Sequence, residues 1–129
     1  MIGFHLDLFS KLLKMKKTII LNFDIVGHHS WKDAPSDVDF LQSHHRHMFK
    51  IKIGMVVEHN DREKEIFLQQ QLYQQYLKHK YETTKGNYKF HDFGNMSCED
   101  IAEEIMNLDR SITWCEVLED NLGGARIER

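Results

Sequence analysis

The segment TIILNFDIVGHH, residues 18–29, decides the fold because apolar and polar side chains alternate along most of it. This two-residue period is typical of a β-strand with one buried face and one solvated face. We predict a strand over residues 18–27, whose apolar face carries Ile19, Leu21, Phe23, Ile25 and Gly27. Continuing the alternation places His29 on the apolar face and His28 on the polar face.

A second alternating segment follows residues 30–43, which we interpret as an ordered loop containing the only proline. We predict a strand over residues 45–58, whose apolar face carries His45, His47, Phe49, Ile51, Ile53 and Met55. On that face His45 and His47 lie about 6.6 Å apart, because a strand rises about 3.3 Å per residue. His44 points the other way. Pairing of the two strands as a hairpin would bring His29 close to His45 and His47.

The rest of the chain predicts two helices and two further strands. Ser97 and Asp100 have the spacing of a capping box, which marks the first turn of a helix. The predicted elements are a helix over residues 63–81, an extended segment over 88–93, a helix that begins at Ser97, and strands over 111–119 and 125–128. Their order indicates an α+β fold of two layers, with an antiparallel hairpin at each end.

Length, charge and cysteine content limit the class of protein. The chain has 129 residues and a formal net charge of −3, so we expect one domain over residues 15–129 after an extension over 1–14. The sequence has no basic stripe of the kind that is typical of nucleic acid binding. It also has no apolar stretch that approaches the roughly 20 residues needed to span a membrane. The two cysteines form no C-x-x-C pattern, so we expect no disulfide framework and a cytoplasmic location.

The three histidines of matching alternation predict a metal site. Neutral imidazole is a common zinc ligand, and a three-histidine zinc site keeps one position open for water or a substrate oxygen. Such an ion polarises a bound oxygen and acidifies a proton on or beside it. The competing interpretation is a set of core histidines or an accidental surface cluster. Because three histidines share one face of adjacent strands, we predict Zn²⁺ bound by His29, His45 and His47.

Other polar residues are candidates with a structural alternative. His91 and Asp92 either relay a proton or stabilise a turn before Gly94. Glu119 is either a carboxylate that faces a ligand or an ordinary strand end, and the local sequence favours the strand end. Cys98 lies on the inward face of the second predicted helix, where a small core residue is more common than a nucleophile.

Four short motifs lie along the chain. They are GxHxW at residues 27–31, HRHMF at 45–49, DFGxMSCExxA at 92–102 and EDxxGxA at 119–125. Together they resemble the histidine motifs, a helix start and the terminal glutamate motif of the 6-pyruvoyl-tetrahydropterin synthase and 6-carboxytetrahydropterin synthase family. The resemblance covers roughly residues 17–58 and 90–127. The combination of the histidine and glutamate motifs makes it specific.

The resemblance implies a tunnelling fold (T-fold), in which an antiparallel four-stranded sheet with two helices on one face oligomerises into a β-barrel. The expected assembly is a homohexamer, a dimer of trimers. Zn²⁺ is implied at His29, His45 and His47, and Glu119 is implied to bind the 2-amino group and ring N–H of a pterin. The implied substrate is 7,8-dihydroneopterin triphosphate or a close analogue, which loses triphosphate or a side-chain fragment.

One part of the family's catalytic machinery is missing. In these enzymes a catalytic cysteine stands four residues before the His-x-His pair, and this chain has Leu41 there. His91 and Asp92 are therefore candidates for proton transfer, and the loop residues Asp37 and Asp39 are further candidates for the base.

We thus expect a zinc-dependent carbon-oxygen or carbon-carbon lyase of tetrahydropterin or 7-deazaguanine (queuosine precursor) biosynthesis. The alternative is a non-catalytic, metal-bearing T-fold module that binds a pterin or guanine-like ligand, and the missing cysteine favours it. A related enzyme with a modified nucleotide as substrate is a third hypothesis.

Overall fold

Two long strands at the centre of the sheet contain the alternating segments of the sequence. The computed structural model describes residues 15–129, and the predicted extension over 1–14 lies outside the described residues. Strand β1 (Lys17–His29) pairs antiparallel with β2 (His45–Val57) along the full length of both strands. The predicted hairpin is therefore confirmed.

The register of this hairpin decides which histidines meet. His29 lies directly opposite His45, and His47 follows two residues later on β2. Because successive side chains alternate between the faces of a strand, these three project from one face and His28 projects from the other. On that other face the His28 ring packs against Phe90, with 4.1 Å between the ring centroids.

Among residues 15–129 the sheet has six strands, where the sequence predicts four. The additional pair is β3 (Glu82–Lys85) and β4 (Tyr88–Asp92), and the last two strands are β5 (Ile112–Glu119) and β6 (Gly123–Glu128). The order across the sheet is β3-β4-β1-β2-β5-β6. Strand β4 runs parallel to β1, while the other neighbouring pairs are antiparallel. The predicted four-stranded antiparallel sheet is thus corrected to an open, mixed, six-stranded sheet.

The additional hairpin has little apolar alternation to mark it in the sequence. Strand β3 reads ETTK, and its residues are mostly exposed. The turn contains Gly86 at a φ of 64°, a left-handed conformation that glycine adopts without strain. The segment 88–93 is predicted as extended. Its pairing with β1, however, depends on the position at which the preceding helix ends relative to the sheet. The alternation of apolar and polar residues does not show how the chain returns from the helix to the sheet.

Among the residues that the structure describes, two α-helices pack on the face of the sheet that carries the three histidines. They are α1 (Ile66–Tyr81) and α2 (Cys98–Met106), and both contribute side chains to one core cluster with the sheet. The predicted capping box of Ser97 and Asp100 is confirmed, since both of its hydrogen bonds are present. A 3₁₀ helix (Ser36–Gln42) occupies part of the loop between β1 and β2. In the described part of the chain, no helix has the length and apolar character needed to cross a membrane.

The core reaches up to the histidines through closely packed aromatic rings. The Phe49 ring is fully buried and lies next to Phe93, with 5.3 Å between the ring centroids. A Cβ atom on Gly27 would lie 2.7 Å from Phe49 Cδ2 and 2.8 Å from Phe93 Cε2. Glycine at position 27 therefore lets both rings pack against the end of β1, two residues before His29.

The two α-helices are joined through Glu104 of α2. Its carboxylate accepts hydrogen bonds from the hydroxyls of Tyr76 (2.9 Å) and Tyr81 and from Lys80 Nζ (3.0 Å). Burial raises the pKa of Glu104, but the three donors outweigh burial and hold the pKa below its usual value. The charged form of Glu104 therefore stabilises the folded protein.

We expect Glu104→Gln to lower the free energy of unfolding by about 2 kcal/mol near pH 7, because hydrogen bonds to a charged acceptor are the stronger ones. Since the folded-state pKa of Glu104 is lowered, its contribution is present above the unfolded pKa and is lost as the pH falls through the folded pKa. Urea unfolding near pH 7 and at acidic pH measures both effects. Exposed Glu103 provides the control, and equal losses in Glu104→Gln and Glu103→Gln would contradict this role.

Candidate metal centre

Three histidines gather at the end of the central hairpin. One candidate ligand atom from each of His29, His45 and His47 lies within 4.8 Å of the others. Their ring centroids are 4.6 to 5.2 Å apart. His29 is buried, and His45 and His47 are half-buried. This cluster could hold a metal ion, as the strand alternation predicts.

Each of the three rings is oriented by an oxygen atom at Nδ1. The pairs are His29 with Met96 O (2.8 Å), His45 with Ser43 O (2.9 Å) and His47 with Asp120 Oδ2 (2.6 Å). Because a carbonyl or an ionised carboxylate only accepts hydrogen bonds, each Nδ1 donates and carries a proton. In the neutral ring Nε2 then has a free lone pair. Oxygen partners of this kind commonly fix the tautomer and orientation of metal-bound histidines.

Glu119 lies against two of these rings. Its Oε2 is 2.9 Å from His47 Nε2, and its Oε1 is 3.6 Å from His29 Nε2. His47 Nε2 is buried and makes no hydrogen bond of good geometry, and the 2.9 Å contact is an ion pair only when the ring is protonated. The lone pair of a neutral imidazole and a carboxylate oxygen repel each other, and a cation next to both atoms replaces that repulsion by attraction. The donor atoms therefore suit a divalent transition metal.

The environment of His29 favours its neutral form. Burial lowers the pKa of His29 below its usual value, and the nearby His45 and His47 lower it further. The hydrogen bond to Met96 O and the charge of Glu119 act in the opposite direction without outweighing burial. A neutral imidazole is the form that binds a metal, so near neutral pH His29 needs to lose no proton.

A cavity of about 430 Å³ opens beside the histidines. Its lining residues include His29, His45, Trp31, Met96, Cys98 and Glu119. The volume lies within the range of roughly 300–1,000 Å³ that is typical of small-molecule sites. Most of the wall is apolar, with polar atoms from the histidines and Glu119. Such a wall suits a compact ligand with an apolar body and a few polar atoms.

Glu119 and Cys98 belong to this site, although the local sequence favours ordinary structural roles for both. Glu119 is the last residue of β5 and lies opposite Phe49, so it shares the face of His47. Cys98 is the first residue of α2, and its Sγ donates a hydrogen bond to Glu119 Oε1 at 3.3 Å. Burial raises the pKa of the Cys98 thiol, and the charge of Glu119 raises it further. Cys98 is thus a protonated thiol near pH 7.

Asp120 is a part of the site that the sequence analysis missed. Its Oδ2 accepts the hydrogen bond from His47, and its Oδ1 accepts one from Met48 N at 2.8 Å. These two bonds, that of His47 first, hold the pKa of Asp120 below its usual value. The one signal in the sequence for Asp120 is its position, since it directly follows Glu119 and begins the turn between β5 and β6.

The predicted proton carriers His91 and Asp92 do not line the cavity. They project from opposite faces of β4, because neighbouring residues of a strand alternate. His91 Nδ1 donates a hydrogen bond to Val26 O at 3.0 Å. Asp92 Oδ1 accepts one from Gly94 N at 3.0 Å, which is the turn-stabilising alternative for this residue.

The loop between β1 and β2 contributes Ser30, Trp31 and Leu41 to the cavity and no acidic residue. Asp37 and Asp39 are exposed on the 3₁₀ helix, and neither lines the cavity. Leu41 does line it. The position at which the resembled enzymes have a catalytic cysteine is therefore at the site, but it has no group that transfers a proton.

We expect Asp120→Asn to weaken metal binding about 10- to 100-fold, the usual effect of losing the outer partner of a metal-bound histidine. Asparagine tolerates the φ of 51° at this position but lacks the negative charge that makes His47 a stronger ligand. Competition for zinc with a chelating dye measures the Kd. Asp24 on the opposite face, paired with Lys50 at 3.3 Å, provides the control variant Asp24→Asn. Identical affinities in Asp120→Asn and the wild type would contradict this role.

Comparison with known proteins does not assign the chain to a family. No model of a known protein family matches the sequence, and no curated protein shows a significant match. The histidine cluster, the cavity and the four motifs are therefore the features that bear on function.

Proposed function

We propose that this protein is a zinc-dependent lyase of the 6-pyruvoyl/6-carboxytetrahydropterin synthase type. Its substrate would be 7,8-dihydroneopterin triphosphate or a close analogue, and its pathway tetrahydropterin or 7-deazaguanine biosynthesis. The observation that carries the proposal is the set of three histidines, each oriented through Nδ1, beside a cavity of small-molecule size. The four motifs that resemble this family are the second support.

His29, His45 and His47 would hold Zn²⁺ through their Nε2 atoms. Three imidazole ligands are typical of catalytic zinc, which keeps a position for substrate. When bound, the ion would polarise the side-chain hydroxyls of the pterin and make their protons more acidic. The protein's own part is to fix the three rings, through the oxygen atoms at each Nδ1.

Glu119 would bind the heterocycle of the substrate. A carboxylate offers two acceptor oxygens, which match the adjacent 2-amino and ring N–H donors at one edge of a pterin. The Glu119 side chain is about one-third exposed and lines the cavity, so a ligand can reach it. Trp31 and Met96 supply apolar wall against which the body of the ring would pack.

Proton transfer is the step for which this chain departs most from the resembled family. General acid–base catalysis contributes about 10²- to 10⁴-fold to a rate. We propose His91, Asp92 or Asp39 for this role, which requires that a second subunit or the bound substrate brings one of them to the cavity. The exposed position of Asp39 allows such an approach.

A homohexamer, as a dimer of trimers, is part of the proposal. The sheet ends in β3 on one side and β6 on the other, and each has one edge without a strand partner among residues 15–129. Unpaired strand edges readily pair with another chain, and such pairing around a ring would close the sheets into a T-fold barrel. A cytoplasmic location is proposed from the two free cysteines, Cys98 and Cys115.

The second candidate function is a non-catalytic module that binds a pterin or guanine-like ligand beside the metal. Leu41 in the cavity wall favours this candidate, because it occupies the position of the missing cysteine. Binding through Glu119 and the metal would be retained in such a module, whereas turnover would be absent.

Incubation of the zinc-loaded protein with 7,8-dihydroneopterin triphosphate separates the two candidates. Mass spectrometry should detect a product that has lost triphosphate or a side-chain fragment, and His47→Ala should form none. Saturable binding without turnover, lost in Glu119→Ala, would instead support the binding module. Neither turnover nor binding would contradict both candidates.

A further inference from the structure

We propose that Glu119 is a fourth metal ligand in the substrate-free protein and that it leaves the metal when it binds the heterocycle. This inference rests on the proposed metal site of His29, His45 and His47. Without substrate the metal would then have four protein ligands. One of its positions would become free only when the heterocycle binds Glu119.

The distances from Glu119 to two of the histidines are close to those expected between ligands of one ion. In a tetrahedral zinc site with bonds of about 2.0–2.2 Å, neighbouring ligand atoms lie about 3.4 Å apart. Glu119 Oε2 is 2.9 Å from His47 Nε2, and Glu119 Oε1 is 3.6 Å from His29 Nε2. The Oε2 contact is shorter than the expected value, and the Oε1 contact is close to it. Glu119 thus lies beside His29 and His47, at one corner of the cluster.

The strands explain why the carboxylate reaches this corner. His29, His47 and Glu119 come from the ends of three adjacent strands, β1, β2 and β5, and all project from the same face of the sheet. The backbone N–H of Leu122 donates to Glu119 O at 2.9 Å, and this bond holds the residue in the tight turn before β6. A side chain that starts from a fixed strand end has few ways to point, which favours one defined contact with the ion.

Cys98 is the positioning residue for this arrangement. Its Sγ donates to Glu119 Oε1, so that oxygen has a hydrogen-bond donor while Oε2 faces the buried Nε2 of His47. The two oxygens therefore have different environments, as in a carboxylate that binds a metal through one oxygen. Cys98 also lines the cavity, where an incoming ligand would meet both side chains.

The two roles of Glu119 exclude each other, and this makes the site responsive to its ligand. A carboxylate that holds the paired N–H donors of a heterocycle uses both oxygens and cannot remain on the ion. Release of Glu119 would open one metal position at the moment when the substrate oxygen arrives. At rest the closed site would exclude water and other small ligands from the ion.

Cobalt-loaded protein provides a spectroscopic test. We expect imidazole, a neutral ligand, to change the visible Co²⁺ spectrum of Glu119→Gln at concentrations about tenfold or more below those needed for the wild type. A neutral probe is chosen because the loss of a negative charge alone would also favour an anion. Glu116→Gln is the matched control, since Glu116 lies on the same strand but on its opposite face and should respond as the wild type does.

The metal affinity gives an independent readout. Glu119→Gln should bind Zn²⁺ at least about 10- to 100-fold more weakly than the wild type, because a direct ligand matters no less than an outer partner. For Cys98 we expect Cys98→Ala to shift the Co²⁺ spectrum and weaken affinity by a smaller factor, and Cys98→Ser to restore both. The serine hydroxyl keeps a donor for Glu119 Oε1.

The outcomes distinguish this inference from the proposed function. A wild type that binds no metal would overturn both. A wild type that binds metal, with imidazole acting equally on wild type and Glu119→Gln, would overturn the role of Glu119 and leave the three-histidine site intact. Tighter imidazole binding to Glu119→Gln together with its weaker zinc affinity is the result that we expect.

Discussion

Replacing His47 with alanine should reduce the zinc content of the purified protein from one ion per chain to almost none. The variant removes one of the three proposed imidazole ligands and also leaves Asp120 without the ring that it orients. We expect the affinity to fall by more than about 100-fold, beyond the upper range for loss of an outer partner. Metal analysis of dialysed protein measures this result directly.

His44→Ala is the matched control for that measurement. His44 lies three residues from His47 and one from His45, but it is about half exposed and does not belong to the ligand cluster. Its Nε2 is instead 3.6 Å from Asp92 Oδ1. We expect His44→Ala to retain the zinc content of the wild type. Equal zinc in the wild type, His44→Ala and His47→Ala would contradict the assignment of the ligands.

Among the variants proposed here, Phe49→Ala should lower the free energy of unfolding most, by about 3–5 kcal/mol. The Phe49 side chain is fully buried, and its removal would leave a cavity at the centre of the sheet. Its ring contacts His29 and His47 edge-on, with centroid distances of 5.2 and 5.6 Å. We therefore expect weaker metal binding in addition to weaker folding. Urea unfolding of the metal-free variant and zinc titration under native conditions measure the two effects.

Phe67→Ala is a control of the same chemistry at an exposed site. Phe67 is 68 % exposed on α1, so truncation should change the stability by no more than about 0.5 kcal/mol and leave the metal affinity unchanged. The milder Phe49→Leu keeps most of the buried volume and should fold well enough for titration. Wild-type stability in Phe49→Ala, or unchanged zinc affinity in both Phe49 variants, would show that this ring does not support the site.

The histidine cluster is predictable because it depends on local alternation and one hairpin. Leu21, Phe23 and Ile25 indicate which face of β1 is buried, and the same alternation assigns His29 to that face. The run from Phe49 to Met55 does the same for His45 and His47 on β2. Each step uses only the two-residue period of a strand and the pairing of consecutive strands. The register of the two strands is strongly constrained, because a shift of one residue would expose the whole apolar face to solvent.

The parts that sequence reasoning missed depend on contacts between distant segments. Cys98 meets Glu119 only because α2 begins above the end of β5, and Asp120 meets His47 through the pairing of β5 with β2. The residues next to positions 98 and 120 in the sequence do not indicate these two contacts. The hairpin of β3 and β4 was missed for a similar reason, since its polar residues obtain their place from β1 rather than from a buried stripe of their own.

Anomalous diffraction from crystals of the zinc-loaded protein would locate the ion itself. We expect one peak at the zinc absorption edge, about 2.0–2.1 Å from Nε2 of His29, His45 and His47. Their Nδ1 atoms should remain bonded to Met96 O, Ser43 O and Asp120. A peak bound through Nδ1, a peak at other residues, or no peak in protein that still folds would contradict the account.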